Sequence, residues 1–418
     1  LTTPDGAPPA SPKVPRGPLT FILLTVLMDV IGFGLIIPVL PSLVSELGHV
    51  DLSGAAGIGG LIIMSYALAQ FLFSPVMGGL SDAFGRRPVL LTSMGGFAIS
   101  MLIVAFAPAL WVLFLARTLA GMTGASIATA NAYIADITPP QRRAQTYGLL
   151  GVAFGLGFVL GPAIGGLIGS LHPRWPFIVA AGMAGCNMLM GYFLLPESLP
   201  PERRRPFDWR RANVVGSVRQ LGRLGGELRR FALVYFLWML AIQSLHGIWS
   251  YVTAYRYNWS PLGIGLSLTY VGVMAIIVNG LLVRRSVKRF GEWRTAVIGI
   301  AFGSTAYIVY FFADQPELAY LGLTIGSLGG LAVPALQALM TERTPADAQG
   351  ELQGALATLS SLTIILGPPL FALVFSRFSG ENPILPLPGM PFLLSTLLAG
   401  AALLVLARNK PENPALQG

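Results

Sequence analysis

The chain has 418 residues, of which 54% are hydrophobic and 11% charged, with a formal net charge of +9. Soluble domains carry about one quarter charged residues, so a single water-solvated globule is excluded. One cysteine excludes both an intrachain disulfide and a cysteine-based zinc site. Residues 1–19, with six prolines among the first 18, read as a disordered tail. Apolar runs follow at 20–41, 57–79, 88–107, 111–135, 146–170 and 175–195. Each is close to the roughly 20 residues that cross a bilayer core of about 30 Å. A polar, Arg-rich linker fills 196–230, six further runs lie at 231–255, 262–283, 294–313, 317–340, 352–375 and 390–407, and a tail occupies 408–418. In hydrocarbon every backbone amide must bond internally, so these runs are helices; the short alternating segments of a β-barrel are absent. The first run is too long for a secretory leader, and no small-residue cleavage site follows it. Cys186 is expected to pack within the sixth run.

The positive charge is segregated by loop. Alternate loops hold 23 Lys and Arg on one side and three (Arg174, Arg256 and Arg377) on the other, while Arg117 lies inside a run. By the positive-inside rule both termini and the central linker are cytoplasmic, and the charge orients the chain instead of recruiting nucleic acid. The opposite loops carry Glu46, Asp51, Asp314 and Glu317.

Shifting the chain by 206 residues aligns its halves. Phe84-Gly85 meets Phe290-Gly291, Gly124 meets Gly330, Thr138-Pro139 meets Thr344-Pro345, Gly148 meets Gly354, and Gly161-Pro162 meets Gly367-Pro368. Chance readily matches Ala and Leu in apolar sequence, but not this series of Gly and Pro sites. The chain is therefore a duplication, with one six-helix bundle at 20–195 and another at 231–407. Parallel repeats of this kind are a transporter architecture, with the binding site between the halves at mid-membrane.

Charged and polar residues inside the runs mark candidate sites. Asp29 is the sole carboxylate deep within any run. A carboxylate left in hydrocarbon costs several kcal/mol, so it either takes a proton or faces a cavity. It is the expected proton-coupling residue, the alternative being a cap at a helix break near Gly32. Arg117 joins it, unless its side chain snorkels to the outer interface. Gln70, Asn131, Gln243, His246, Asn279 and Gln337 are either substrate contacts or interhelical hydrogen-bonding groups. Gln243 and His246 are three residues apart, and Trp249 is expected to continue their face. No phosphate-binding G-x-x-x-x-G-K-[ST] loop occurs, so an ion gradient and not ATP supplies the energy. Neither metal nor cofactor is implied. Three scattered histidines do not assemble the nucleophile cluster that a membrane acyltransferase would need.

The loop Gly78-Gly-Leu-Ser-Asp82-Ala-Phe-Gly85-Arg86-Arg87-Pro88 resembles the signature loop of the major facilitator superfamily, with 284–294 as its degenerate copy. Its glycines allow a tight turn at the membrane face, and Asp82 can pair with a nearby Arg. Gly78, Asp82, Gly85, Arg86, Arg87 and Arg143 form the expected conformational gate, against the alternative of a plain basic turn. Arg117 to Gly124 is similar to a second superfamily motif. Gly157, Gly161, Pro162, Gly165 and Gly166 resemble the antiporter motif of proton-driven exporters. Met28-Asp29 through Pro41, Ala132 to Thr138 and Pro334 to Ala338 resemble bacterial tetracycline exporters. The resemblance implies an all-α fold of 12 transmembrane helices in two pseudo-symmetric halves. It further implies a monomeric proton-coupled antiporter of the bacterial inner membrane, exporting small amphipathic or hydrophobic compounds. Lipid or metabolite transport by the same fold is the alternative. Those exporters carry acids in the third and ninth spans, where this chain has Ser100 and Gly303. That departure argues against tetracycline with its chelated metal as cargo.

Overall fold

The computed structural model describes residues 15–209, 225–380 and 383–409, and among these no strand occurs. Residues 1–14, 210–224 and 410–418 of the expected tails and linker lie outside the described residues, whereas 16–19 and 226–230, expected as tail and linker, are helical. The first half comprises α1 (Arg16–Ile36), short α2 (Leu40–Gly48), α3 (Leu52–Phe84), α4 (Arg86–Ala105), α5 (Leu110–Thr123), α6 (Ser126–Ile137), α7 (Arg143–Leu171) and α8 (Trp175–Leu194). The second comprises α9 (Gly226–Tyr257), α10 (Pro261–Ile277), α11 (Val283–Phe312), α12 (Pro316–Ser327), α13 (Ala332–Glu342), α14 (Gln349–Phe378) and α15 (Met390–Arg408). A π-helical turn at Val278–Leu282 joins α10 to α11, and a 3-10 turn at Leu328–Leu331 joins α12 to α13.

Eleven stretches among the described residues are long and apolar enough to cross a membrane. One of them, Pro261–Phe312, is 52 residues long and turns at Gly291 (φ 76°, ψ 168°), so it supplies two crossings and brings the total to twelve. The segment 284–294, expected as a loop, is thus helical except at that glycine. Gly85, its counterpart 206 residues earlier, has nearly the same backbone (φ 110°, ψ 162°). A side chain is strained at such angles, so glycine ends both helices in the same way. The first predicted run closes early. Helix α1 stops at Ile36 because Pro38 and Pro41 cannot continue its hydrogen bonds, and α2 starts with Pro41 in its first turn. The fourth run divides at Gly124 (φ −75°, ψ 62°), and the tenth has its 3-10 turn at the matching Gly330.

The two halves touch from one end to the middle of α7, where Thr269 Oγ1 donates to Val159 O (3.0 Å). Ser53 Oγ on α3 lies 3.2 Å from Ser376 O and 3.1 Å from Ser379 O of α14 and its cap. Ser250 Oγ donates to Ile37 O (3.1 Å), and Leu262 N donates to Ser170 Oγ (3.1 Å). Helices α7 and α10 approach at Gly166, where an added Cβ would lie 2.5 Å from Pro261 O. All of these contacts lie away from the Arg-rich loops. Towards the basic end Gly78, Gly148, Gly151, Gly280 and Gly350 have nothing within 4 Å of an added Cβ. Interhelical hydrogen bonds in membranes average about 0.6 kcal/mol each, so those of the seal add a few kcal/mol to the helix packing.

Candidate functional site

Asp29 sits two-thirds of the way along α1, partly exposed, with the Ser126 side chain beside it. Ser126 is the first residue of α6, so the break at Gly124 brings a helix start to the carboxylate. Tyr66 of α3 lies within electrostatic reach of both Asp29 and Arg117. The Arg117 guanidinium covers the Tyr66 ring, with Cζ 4.6 Å from its centroid. Arg117 is only 7% exposed, so it does not snorkel to the interface. Its Nη1 has no hydrogen-bond partner, and among the described residues it has no ion pair. Gln70 completes the cluster: Nε2 donates to Gly124 O (3.0 Å) and to Tyr66 Oη (3.2 Å). Asp29 and Arg117 were legible as charges inside apolar runs. Tyr66 and Ser126 were not, since both residue types occur routinely in membrane helices.

A cavity of about 470 Å³ opens between the halves towards the basic end. Gln70 and Asn131 line it from the first half, facing Gly354, Thr358 and Ser361 of α14. Thr358 and Ser361 were missed because each hydroxyl is masked by its own helix, donating to Gly354 O (2.8 Å) and Ala357 O (3.0 Å). Their signal is a stripe of small residues at 354, 357, 358 and 361, one face of a helix.

The proposed face of Gln243, His246 and Trp249 is split. His246 is exposed, its Nδ1 3.2 Å from Ile242 O, whereas Gln243 is buried against Gly367. Trp249 is buried as well, donating from Nε1 to Ser267 Oγ (2.9 Å) among Trp259, Tyr310 and Phe392. Each three-residue step falls about 60° short of a full turn, so the three positions spread over about 120° of the helix instead of sharing one face. Asn279 is exposed on the π-helical turn and donates to Ala275 O (2.9 Å), while Gln337 is partly buried on α13. Cys186 is exposed and not packed inside. Ser100 and Gly303 lie inside the bundles: Ser100 is buried and donates to Ala116 O (2.7 Å), and Gly303 packs against the Trp238 indole.

The antiporter-type glycines serve two neighbours. Gly157, Gly161 and Gly165 recur every four residues on the face of α7 that meets α1. An added Cβ would come within 2.7 Å of Val30 at Gly157 and 2.9 Å of Gly34 at Gly161. Pro162 lies inside α7 without ending it. Gly166 faces the other half.

The basic loop forms a network within the first half. Arg86 pairs with Asp82 (2.5 Å) and with Asp136 (3.2 Å). Glu197, unforeseen from sequence, accepts from the backbone N–H of Arg86 (2.8 Å) and Arg87 (3.2 Å) at the start of α4. Arg87 donates to Tyr192 O, and Arg143 to Thr138 O (3.3 Å) and Ala135 O (3.1 Å). None of these bonds crosses to the second half.

The sequence profile of the Major Facilitator Superfamily matches residues 22–368. The class C tetracycline resistance protein of Escherichia coli is 40% identical over 358 residues, 86% of this chain and 89% of that protein. The class G protein of Vibrio anguillarum is 37% identical, over 87% of this chain and 92% of its own length. Among solved structures, the human organic anion transporter MFSD10 superposes with a TM-score of 0.69 at 26% identity, covering 95% of this chain and 100% of that one. The two six-helix halves, the loop at 78–88 and these relatives agree: the chain belongs to the major facilitator superfamily, and it is a multi-pass membrane transporter and not an enzyme.

Proposed function

We propose that this transporter is a proton-coupled antiporter that exports small amphipathic or hydrophobic compounds by alternating access. The observation that carries the reading is Asp29, the one carboxylate at mid-span. It lies at the broken fourth crossing, with Tyr66 in electrostatic reach of both it and Arg117, which has no ion pair among the described residues. The protein acts as a monomer in a bacterial inner membrane, with the basic face and both termini cytoplasmic. The state described here is then open to the cytoplasm. In this state cargo enters beside Gln70 and Asn131, and Asp29 gives up its proton. The carboxylate so exposed gains Arg117 as its counter-charge across Tyr66. Closure at the basic end and opening at the other release cargo outward and let Asp29 take a proton from the acidic side. Acid outside the cell therefore drives export.

The test is flux of amphipathic dyes in proteoliposomes under an imposed pH gradient. Asp29→Asn is expected to lose gradient-driven transport while keeping cargo exchange without a gradient. Undiminished gradient-driven flux in Asp29→Asn would remove this proton site.

A second reading is tetracycline export, favoured by the 40% identity to the class C resistance protein. Against it stand Ser100 and Gly303, where those exporters resemble one another in carrying acids. A cationic magnesium–tetracycline complex favours carboxylates along its path, and this chain offers Asp29 alone. Expression in a susceptible bacterium should give weak or no tetracycline resistance. Strong resistance that depends on Asp29 would install the second reading.

A further inference from the structure

The segment after α8 does not leave the membrane as a free loop. Glu197 is bonded to the backbone N–H groups that begin α4, and Arg205 N donates to Asp82 O (3.1 Å). A 3-10 turn at Pro201–Arg203 and the Arg204 Nε donation to Leu199 O (3.4 Å) hold the intervening residues against the 82–87 loop. Between them lies a cavity of about 320 Å³ walled by Asp82, Arg86, Leu199, Arg203 and Arg205. Of the three arginines in its wall, Arg86 is already paired, with Asp82 and with Asp136. Arg203 and Arg205 have no side-chain partner among the described residues. Such a site is short of an anion, and arginine's planar fork matches phosphate oxygens two at a time.

The surroundings indicate which anion. The last residues of α8, Tyr192, Phe193 and Leu194, are 60%, 77% and 69% exposed, as expected where a helix passes through lipid to its surface. Just beyond the cavity Phe207 and Trp209 pair edge to face, and Trp209 is 72% exposed. Aromatic side chains of this kind gather at the depth of lipid headgroups. Arginines beside a membrane helix attract anionic lipid. We propose that this cavity binds the phosphate of an anionic phospholipid headgroup, with its acyl chains lying along the exposed end of α8. Bound there, the phosphate competes with Asp82 for Arg86 and so acts on the expected gate. The inference is independent of which compound is transported.

The test is native mass spectrometry of the purified full-length protein, titrated separately with short-chain phosphatidylglycerol, phosphatidylcholine and inorganic phosphate. Phosphatidylglycerol should bind about tenfold more tightly than phosphatidylcholine, the scale of one charge-assisted contact. R203Q/R205Q should abolish that preference, and R203K/R205K, which keeps the charge but loses the planar fork, should retain only part of it. R284Q/R285Q removes the same charge from the basic start of α11 in the other half and should change nothing. The proposal is overturned if R203Q/R205Q prefers phosphatidylglycerol as wild type does, or if R284Q/R285Q loses the preference equally. Inorganic phosphate binding as tightly as the lipid would make this a soluble-anion site and overturn it too.

Discussion

Trp238 fills the space that any side chain at position 303 would need. Its indole lies in a slot formed by Gly303 and Gly329, and it is 2% exposed. An aspartate at 303 would both collide with that ring and bury a charge. Gly303→Asp is therefore expected to destabilise the protein by at least about 3 kcal/mol, read as a fall in the thermal midpoint in detergent. Trp238→Ala should recover part of the loss when combined with it. A wild-type midpoint for Gly303→Asp alone would show that the slot is not tight. The same residue scale sets what can be read from sequence. Asp29 and Arg117 declare themselves because a charge in an apolar run has few bland explanations. Hydroxyls such as Ser126, Thr358 and Ser361 do not, because a helix satisfies or conceals them at no visible cost to its pattern.

At the scale of elements, α7 separates two functions on one helix. Gly161 abuts α1 inside its own half, whereas Gly166 abuts α10 across the seal. Leucine at the two sites should therefore fail differently. Gly161→Leu is expected to prevent stable assembly of the first half, giving aggregated protein on gel filtration. Gly166→Leu should fold but hold the seal open. In a Cys186→Ala background, spin labels at His49 and Gln315 should then report longer distances than in the parent. Equal distances would mean that the α7–α10 contact does not close that end. The duplication was legible at this scale because glycine leaves a mark that survives divergence: Gly85 and Gly291 share a backbone conformation. The end of α1 at Ile36, the helical course of 284–290 and the π-turn at Val278–Leu282 were not legible. Each is a departure from even periodicity, set by packing of neighbours distant in sequence.

For the molecule as a whole, twelve crossings and two halves follow from hydropathy and the 206-residue repeat. Which end is open does not. That depends on a balance of a few kcal/mol between contacts at the two ends, and no periodicity records it. The Asp82, Arg86 and Asp136 network engages only its own half here. If it serves as the gate, it meets the second half when the basic end closes. Asp82→Asn should then raise the population open at that end by about two- to fivefold, the range given by about 0.5–1 kcal/mol for an exposed pair. Spin labels at Gln141 and Asp347 would detect it, and an unchanged distribution would leave the loop as a topological anchor.

The seal at the opposite end combines close helix packing with hydrogen bonds from hydroxyls and one backbone amide, and among the described residues no ion pair joins the halves there. Dissolved electrolyte weakens attraction between charges and leaves neutral hydrogen bonds almost untouched: the Debye length falls from about 8 Å at 0.15 M to about 3 Å at 1 M. The transporter should therefore be lopsided in its response to ionic strength. Raising salt on the basic side should alter how often that end closes, while the same salt on the other side should leave its opening unchanged. Proteoliposomes with different salt inside and out, read through the His49–Gln315 and Gln141–Asp347 label pairs, would separate the two. With the basic face cytoplasmic in a bacterium, as proposed above, swings in external salinity would leave the outer barrier constant and confine ionic sensitivity to the buffered interior.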